Sequence, residues 1–249
     1  MESVKLLRNS QIIILGVCIA AATIVSSMIL SQGFLKVMKF TREQISVTGS
    51  AQKNIISDYV VWTASFSKRD ADLATAYKKL KEDLEKVGKY LVSKGVNEKE
   101  IIIDQIAMKT VYKKNEKGND TNDVQDYILT QSIKVKSGEV DMITQLSRTS
   151  TELLGQGMEF SSGAPEYSYT KLDELKIEML AKATQNAKQR AENMTRATGN
   201  KIGFMRSAKM GVFQITPINS TEVSDWGVND TTSLEKKITA VVTVSFAIE

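Results

Sequence analysis

The sequence predicts an α+β protein: antiparallel strands with packed crossover helices, preceded by one N-terminal transmembrane helix. Three patterns carry that expectation, namely an uncharged apolar block at the start, period-two alternation in several segments, and helical apolar stripes between them. The chain has 249 residues, 42% hydrophobic and 25% charged, with two prolines, so it can bury a core and is neither disordered nor collagen-like.

Asn9 to Leu35 carry no charge, and Ile12 to Leu30 are apolar except for one Thr and two Ser. Those 19 residues reach about 28 Å as a helix, close to the hydrocarbon thickness of a bilayer. No small-x-small cleavage site follows cleanly, because Met28-Ile29-Leu30 continues the helix, so an uncleaved signal-anchor is expected. The divisions read from the sequence are a short tail at 1-10, the anchor at 11-35, a juxtamembrane linker at 36-43 and a folded domain at 44-249. Two Lys/Arg precede the span and three follow, too even a distribution to set topology.

Within the domain, Ile45 to Gly49 and Tyr59 to Phe66 alternate as strands. Asp70 or Asp72 can cap a helix whose stripe is Leu73, Tyr77, Leu80, Leu84, Val87 and Leu91, ending at Gly95. Ile101 to Lys113 and Tyr127 to Lys136 flank a polar tip at 115–123 and predict a long antiparallel hairpin. A shorter helix is expected from Val140 to about Leu154, then a strand from Gly157 to Ser161 and a loop through Pro165. The longest helix, Lys171 to Ala197, carries a stripe of Leu180, Ala183, Ala187, Ala191 and Met194, small enough for close packing. Strands at Ile202 to Phe213 and Ile238 to Ile248 finish the chain, with Gln214 to Lys237 between them as a polar loop. Two related β-α-β halves remain an open option.

The chemistry is defined largely by what is missing. There is no histidine and one cysteine, which removes the commonest acid-base group and metal ligand and excludes an internal disulfide. From residue 44 onward 28 basic residues face 27 acidic ones, and no Lys/Arg cluster offers the footprint that nucleic acid needs. Ser-x-x-Lys occurs at Ser50/Lys53, Ser65/Lys68, Ser168/Lys171 and Ser233/Lys236, without the companion motifs of a Ser-Lys hydrolase. The acidic tip at Asp120 to Asp123 is out of register for a calcium loop, and neither Gly155-Gln156-Gly157 nor Gly199 to Gly203 opens a helix after a strand as a phosphate loop does. Tyr167, Tyr169 and Trp226 read as aromatics that either anchor a partner or fold back on the domain, the second being the commoner case.

Ile45 to Ala51, Asp58-Tyr59-Val60-Val61-Trp62, Leu91 to Val96 before Ile101 to Ile103, the Ala-rich Ala181 to Ala191, the Gly199 to Gly203 junction and Ala240 to Phe246 together resemble a SIMPL domain covering 44 to 249. The resemblance implies an exported α+β domain of the bacterial periplasmic or surface immunogenic type, without established catalytic residues. It also implies ring-like homo-oligomers and an association with oxidative-stress defence. The chain differs in its anchor and in Ser50-Ala51-Gln52-Lys53, where relatives often have Gly and acidic residues.

The resulting expectation is a non-enzymatic, single-pass envelope protein in the cell membrane. Residues 12-30 lie in the lipid bilayer, residues 44-249 lie outside the cytoplasm in the periplasm or at the cell surface, and a homo-oligomer uses Ala187 and Trp226 as contacts. No cofactor, metal or nucleic acid is expected, and no small-molecule partner is identified from the residues. The alternatives are an enzyme with a carboxylate- or lysine-based site, or a small-ligand or lipid-binding module.

Overall fold

The computed structural model describes residues 2–249, and their side chains except at 2–14, 36 and 39–42. Met1, the side chains of Ile12 to Ile14 and the basic groups of Lys5, Arg8, Lys36, Lys39 and Arg42, all used above, lie outside the described residues. The order of elements is α1 (Glu2–Arg42), β1 (Gln44–Ile56), β2 (Tyr59–Asp70), α2 (Leu73–Ser93), β3 (Ile101–Lys114), β4 (Asp120–Ser137), α3 (Val140–Thr149), β5 (Glu159–Ser162), β6 (Glu166–Ser168), α4 (Leu172–Arg196), β7 (Ile202–Met210), β8 (Gln214–Pro217), β9 (Val228–Asn229) and β10 (Glu235–Ile248). The fold is α+β, as the sequence predicts. One sheet runs β1-β10-β8-β9 with β7 also on β10, and the other runs β3-β4-β2-β5 with β6 also on β2.

The helix α1 is continuous from Glu2 to Arg42, so the residues read as tail and linker share one helix with the anchor. Leu15–Leu35 is long and apolar enough to cross a bilayer, and none of it is buried. At 1.5 Å per residue these 21 residues span about 31 Å.

The chain divides into two compact units, one of residues 1–50, 180–211 and 241–249 and the other of residues 51–179 and 212–240. In the second unit, β2 buries Val60, Trp62, Ala64 and Phe66, and β4 buries Leu129, Ile133 and Val135. The two strands pair antiparallel from Val60↔Ser137 to Asp70↔Tyr127, which puts these residues on one face. The helix α2 starts at Asp72, whose carboxylate accepts the Thr75 amide at 2.7 Å, and stops where Gly95 takes φ of 96°.

Its buried stripe is Ala76, Leu80, Asp83, Val87 and Leu91, whereas Leu73 and Tyr77 are 39% and 48% exposed. The expected stripe is thus displaced at its start, because the helix presents the face carrying Asp83 to the sheet. That carboxylate is stabilised in the interior by Lys68 Nζ at 2.8 Å and Lys86 Nζ at 3.4 Å. The Trp62 indole donates to Ser162 Oγ at 3.0 Å, which in turn donates to the Ser147 carbonyl at 2.7 Å. The hairpin of β3 and β4 closes at Asn115, whose backbone amide and side-chain oxygen both bond Asn119. The strands claim residues 120–123 that the sequence assigned to the tip.

Two expectations need correction here. The helix from Val140 stops at Thr149 and tightens into a 3-10 turn over Ser150–Gln156. Gln214 to Lys237 is not a plain polar loop. Gln214, Ile215 and Thr216 are buried in β8, which pairs antiparallel with β10 and parallel with β9. Strands this short leave too few alternations to stand out from a polar background.

In the first unit, β10 buries Val242, Val244 and Phe246 and pairs with β7 through Val242↔Met210 and Val244↔Ala208. Ser46 and Thr48 of β1 meet Ser245 and Thr243 of β10 through hydroxyl contacts of 3.3 and 3.2 Å. Along the part of α4 that belongs to this unit the buried face is Ala183, Ala187, Ala191 and Thr195, and the same every-fourth-residue stripe includes Leu175 and Met179 in the second unit. Met194 is 55% exposed, so the predicted stripe holds in its alanines and shifts at its ends. The small residues matter because β1 comes so close: a Cβ on Gly49 would lie 2.3 Å from the Ala183 carbonyl oxygen and 2.4 Å from the Ala187 nitrogen. The β-α-β passage β2–α2–β3 stays in one sheet, whereas β6–α4–β7 begins in one and ends in the other.

Candidate functional site

The most unusual chemistry in the described residues is a buried polar cluster in the second unit around Lys236. Lys236 belongs to the inward-facing alternation of β10 with Ile238 and Ala240, and only 3% of it is exposed. Its Nζ donates to the Tyr167 carbonyl at 2.6 Å. Tyr167 is fixed by pairing with Val60, by its amide donating to the Thr231 carbonyl at 2.7 Å and by a 3.0 Å contact between its hydroxyl and Thr144 Oγ1. Asp230 Oδ1 accepts from the Thr232 amide and hydroxyl, both at 2.8 Å, while its Oδ2 is buried without a hydrogen bond. Ser57 donates its amide to the Leu234 carbonyl at 2.9 Å, and its buried Oγ has no hydrogen-bond partner.

Burial pushes the Lys236 ammonium below the ordinary lysine value, and the nearby Asp230 charge opposes that shift without cancelling it. Burial pushes the Asp230 carboxyl up, but the hydrogen bonds from Ser233 and Thr232 outweigh it and hold the group below the usual carboxylate value. A lysine in this state is the type of group that serves as nucleophile or base when a substrate can reach it. None of the clefts described below is lined by Lys236, Asp230 or Ser57. The cluster ties β6, the connection after β9 and the start of β10 together. The sequence carried a signal for it, a lysine at an inward position of an otherwise apolar alternation.

The Ser-x-x-Lys lysines are engaged elsewhere in three of the four cases. Lys53 pairs with Glu178 at 2.9 Å, Lys68 with the buried Asp83, and Lys236 with the Tyr167 carbonyl. Lys68 reaches the helix side of β2 while Ser65 lies on the other face, as the strand period requires. Tyr167 is buried in β6 and Tyr169 is half-buried, so both fold back on the domain. Ala187 is fully buried, with its backbone against Gly49. Trp226 lies at the opposite extreme, 95% exposed.

A cleft of about 410 Å³ in the first unit lies beyond the end of α4, between Glu192, Arg196, Asn200 and Lys201. The second unit has one of about 300 Å³ beside Ser67 and Glu159, which hydrogen-bond at 2.7 Å, and one of about 200 Å³ beside Lys94 and Met142. Among the described residues no group of three or more His, Cys, Asp or Glu is placed to hold a metal ion.

Among curated proteins none matches this chain. The model of a protein family of unknown function, SIMPL (DUF541), matches residues 45–246, which is all but the ends of the two-sheet domain and begins just after α1. The chain belongs to the SIMPL family.

Proposed function

We propose that this SIMPL protein is a single-pass membrane protein whose domain, residues 44–249, lies outside the cytoplasm and self-associates as a non-enzymatic component of the cell envelope, with the link to oxidative-stress defence that the family resemblance implies. The observation that carries the reading is the helix α1, apolar over Leu15–Leu35 and exposed along that whole stretch, a surface that water does not tolerate and a bilayer does. Self-association is supported by Trp226 and Val223, 95% and 79% exposed and close in sequence in the connection between β8 and β9 of the second unit.

The test has three arms. The native protein should stay with membranes through carbonate extraction and keep its amino-terminal segment; release, or a mature chain beginning near Gln32, refutes the anchor. Protease added to cells with a permeabilised envelope should digest the domain; full protection places it in the cytoplasm. Detergent-extracted protein should run as a large species by light scattering; a monomer at high concentration refutes assembly. A lysine-based enzyme is the second reading, favoured by Lys236 alone. Trapping of an added aldehyde on Lys236 by borohydride would support it.

A further inference from the structure

The core of the second unit stops short of its outermost strand. Ile103 and Met108 of β3 stand opposite Ile133 and Leu129 of β4. Those two partners are buried, whereas Ile103 and Met108 are 53% and 57% exposed. Ile102, opposite Lys134 on the other face, is 40% exposed, and Tyr112 nearer the tip is 41% exposed. Among the described residues β3 pairs with β4 alone. One edge of a 14-residue strand therefore leaves its backbone donors and acceptors without a strand partner.

Natural sheets blunt such edges with bulges and with charge. The register of β3 shifts between Ile103 and Ile106, but the Asp104 carbonyl there accepts from Gln131 Nε2 at 2.9 Å, so the irregularity is satisfied within the protomer. The charges are sorted by sign along the strand. Residues 98–105 hold Glu98, Glu100 and Asp104 against Lys99, while residues 106–114 hold Lys109, Lys113 and Lys114 and no acid. Asp104 pairs with Lys134 at 2.8 Å, but Glu98, Glu100 and those three lysines form no ion pair among the described residues. A second copy laid parallel on this edge sets lysine against lysine. Laid antiparallel, it sets the basic end of each strand against the acidic start of the other, and a two-fold contact requires that kind of self-complementarity. Ala107 lies midway between Glu100 and Lys114. Reversal about it brings Met108 of each copy to Ile106 of the other, and Lys113 and Lys114 to Glu100 with Glu98 just beyond.

We propose that β3 pairs antiparallel, about Ala107, with β3 of a second copy, so that the sheets of two second units join edge to edge. This names a contact for the self-association proposed above and rests on that reading. The test uses the detergent-solubilised full chain, with Cys18→Ser removing the sole cysteine. Ala107→Cys and, in a separate chain, Lys109→Cys are oxidised with copper phenanthroline. Directly opposed residues have Cα atoms about 4.5 to 5.5 Å apart, inside the range of about 4.4 to 6.8 Å that a disulfide spans. The two copies of position 109 are four strand steps apart, about 14 Å, beyond that reach.

The expected result is a disulfide-linked dimer at 107, about ten-fold more abundant than at 109. Lys113→Glu with Lys114→Glu, or Glu98→Lys with Glu100→Lys, should each lower the yield at 107 several-fold, because like charges then face one another. Co-expression of the two charge variants should restore it, each supplying the sign the other lacks. Light scattering on the charge variants without the cysteine reads the same loss and recovery, so a misfolded Ala107→Cys chain, identified by circular dichroism, does not leave the question open. Equal cross-linking at 107 and 109 reports random collision and overturns the proposal, as does a cross-link from 107 to a co-purifying protein. A large species by light scattering without a cross-link at 107 overturns it and leaves self-association standing. A monomer by light scattering refutes self-association itself.

Discussion

Gly49→Ala tests how tightly α4 and β1 are held together in the first unit. The new methyl would lie 2.3, 2.4 and 2.7 Å from the Ala183 oxygen, Ala187 nitrogen and Ala187 Cα, all backbone atoms that cannot rotate away. Ordinary carbon contacts need about 3.5 Å or more, so the helix must retreat by about 1 Å. That retreat stretches the Ser50 amide bond to Asn186 Oδ1, now 3.1 Å, and the Arg190 bond to the Thr48 carbonyl, now 3.0 Å. Overpacking of this kind costs about 1 to 3 kcal/mol, and each weakened hydrogen bond adds about 1 kcal/mol. A total near 4 kcal/mol lowers the Tm of a chain this size by about 10 °C. Thermal unfolding of the detergent-solubilised full chain measures it. Gly88→Ala is the matched control: Gly88 is inside α2 with nothing within 4 Å of its added Cβ, so alanine should stabilise by about 0.5 to 1 kcal/mol. A Gly49→Ala protein melting within about 2 °C of wild type, less than 1 kcal/mol for a chain of this length, refutes the close-packing argument.

Lys68→Met leaves the buried Asp83 with only Lys86 at 3.4 Å and should cost about 3 kcal/mol in urea unfolding; adding Asp83→Leu should recover most of that loss. Lys236→Met tests the depressed ammonium. Between its folded pKa and the ordinary lysine value of about 10.4, the unfolded chain holds a proton the folded one has shed. Wild-type stability therefore gains a rising component with pH in that window, and the variant should lack it; parallel profiles would refute the assignment. Trp226→Ala should leave Tm nearly unchanged, since the side chain is 95% exposed and such substitutions fall within about 0.5 kcal/mol. It should shrink the assembled species seen by light scattering, and an unchanged size removes Trp226 from the interface.

Elements whose pattern repeats often enough to be unambiguous were legible from the residues alone. Leu15–Leu35 needed only its length and lack of charge. The closing strand showed its buried face at Ile238, Ala240, Val242, Val244 and Phe246, and the hairpin of β3 and β4 followed from alternation around a polar tip. In α4 the alanines at 183, 187 and 191 announced a close neighbour.

Tertiary structure decided what that neighbour was. Ala187 packs against Gly49, nearly 140 residues away in sequence, and no local pattern distinguishes a small-residue stripe that packs within the protomer from one that meets a second copy. It likewise turned the face of α2 so that Asp83 entered the core, where Lys68 on β2 pairs with its charge. β8 and β9 form only because β10 supplies the partner for Gln214 to Pro217, and Lys236 becomes unusual only once β6 places the Tyr167 carbonyl over its ammonium. Periodicity records which side of an element is apolar; which residues satisfy its charges and fill its gaps depends on segments brought together from far along the chain.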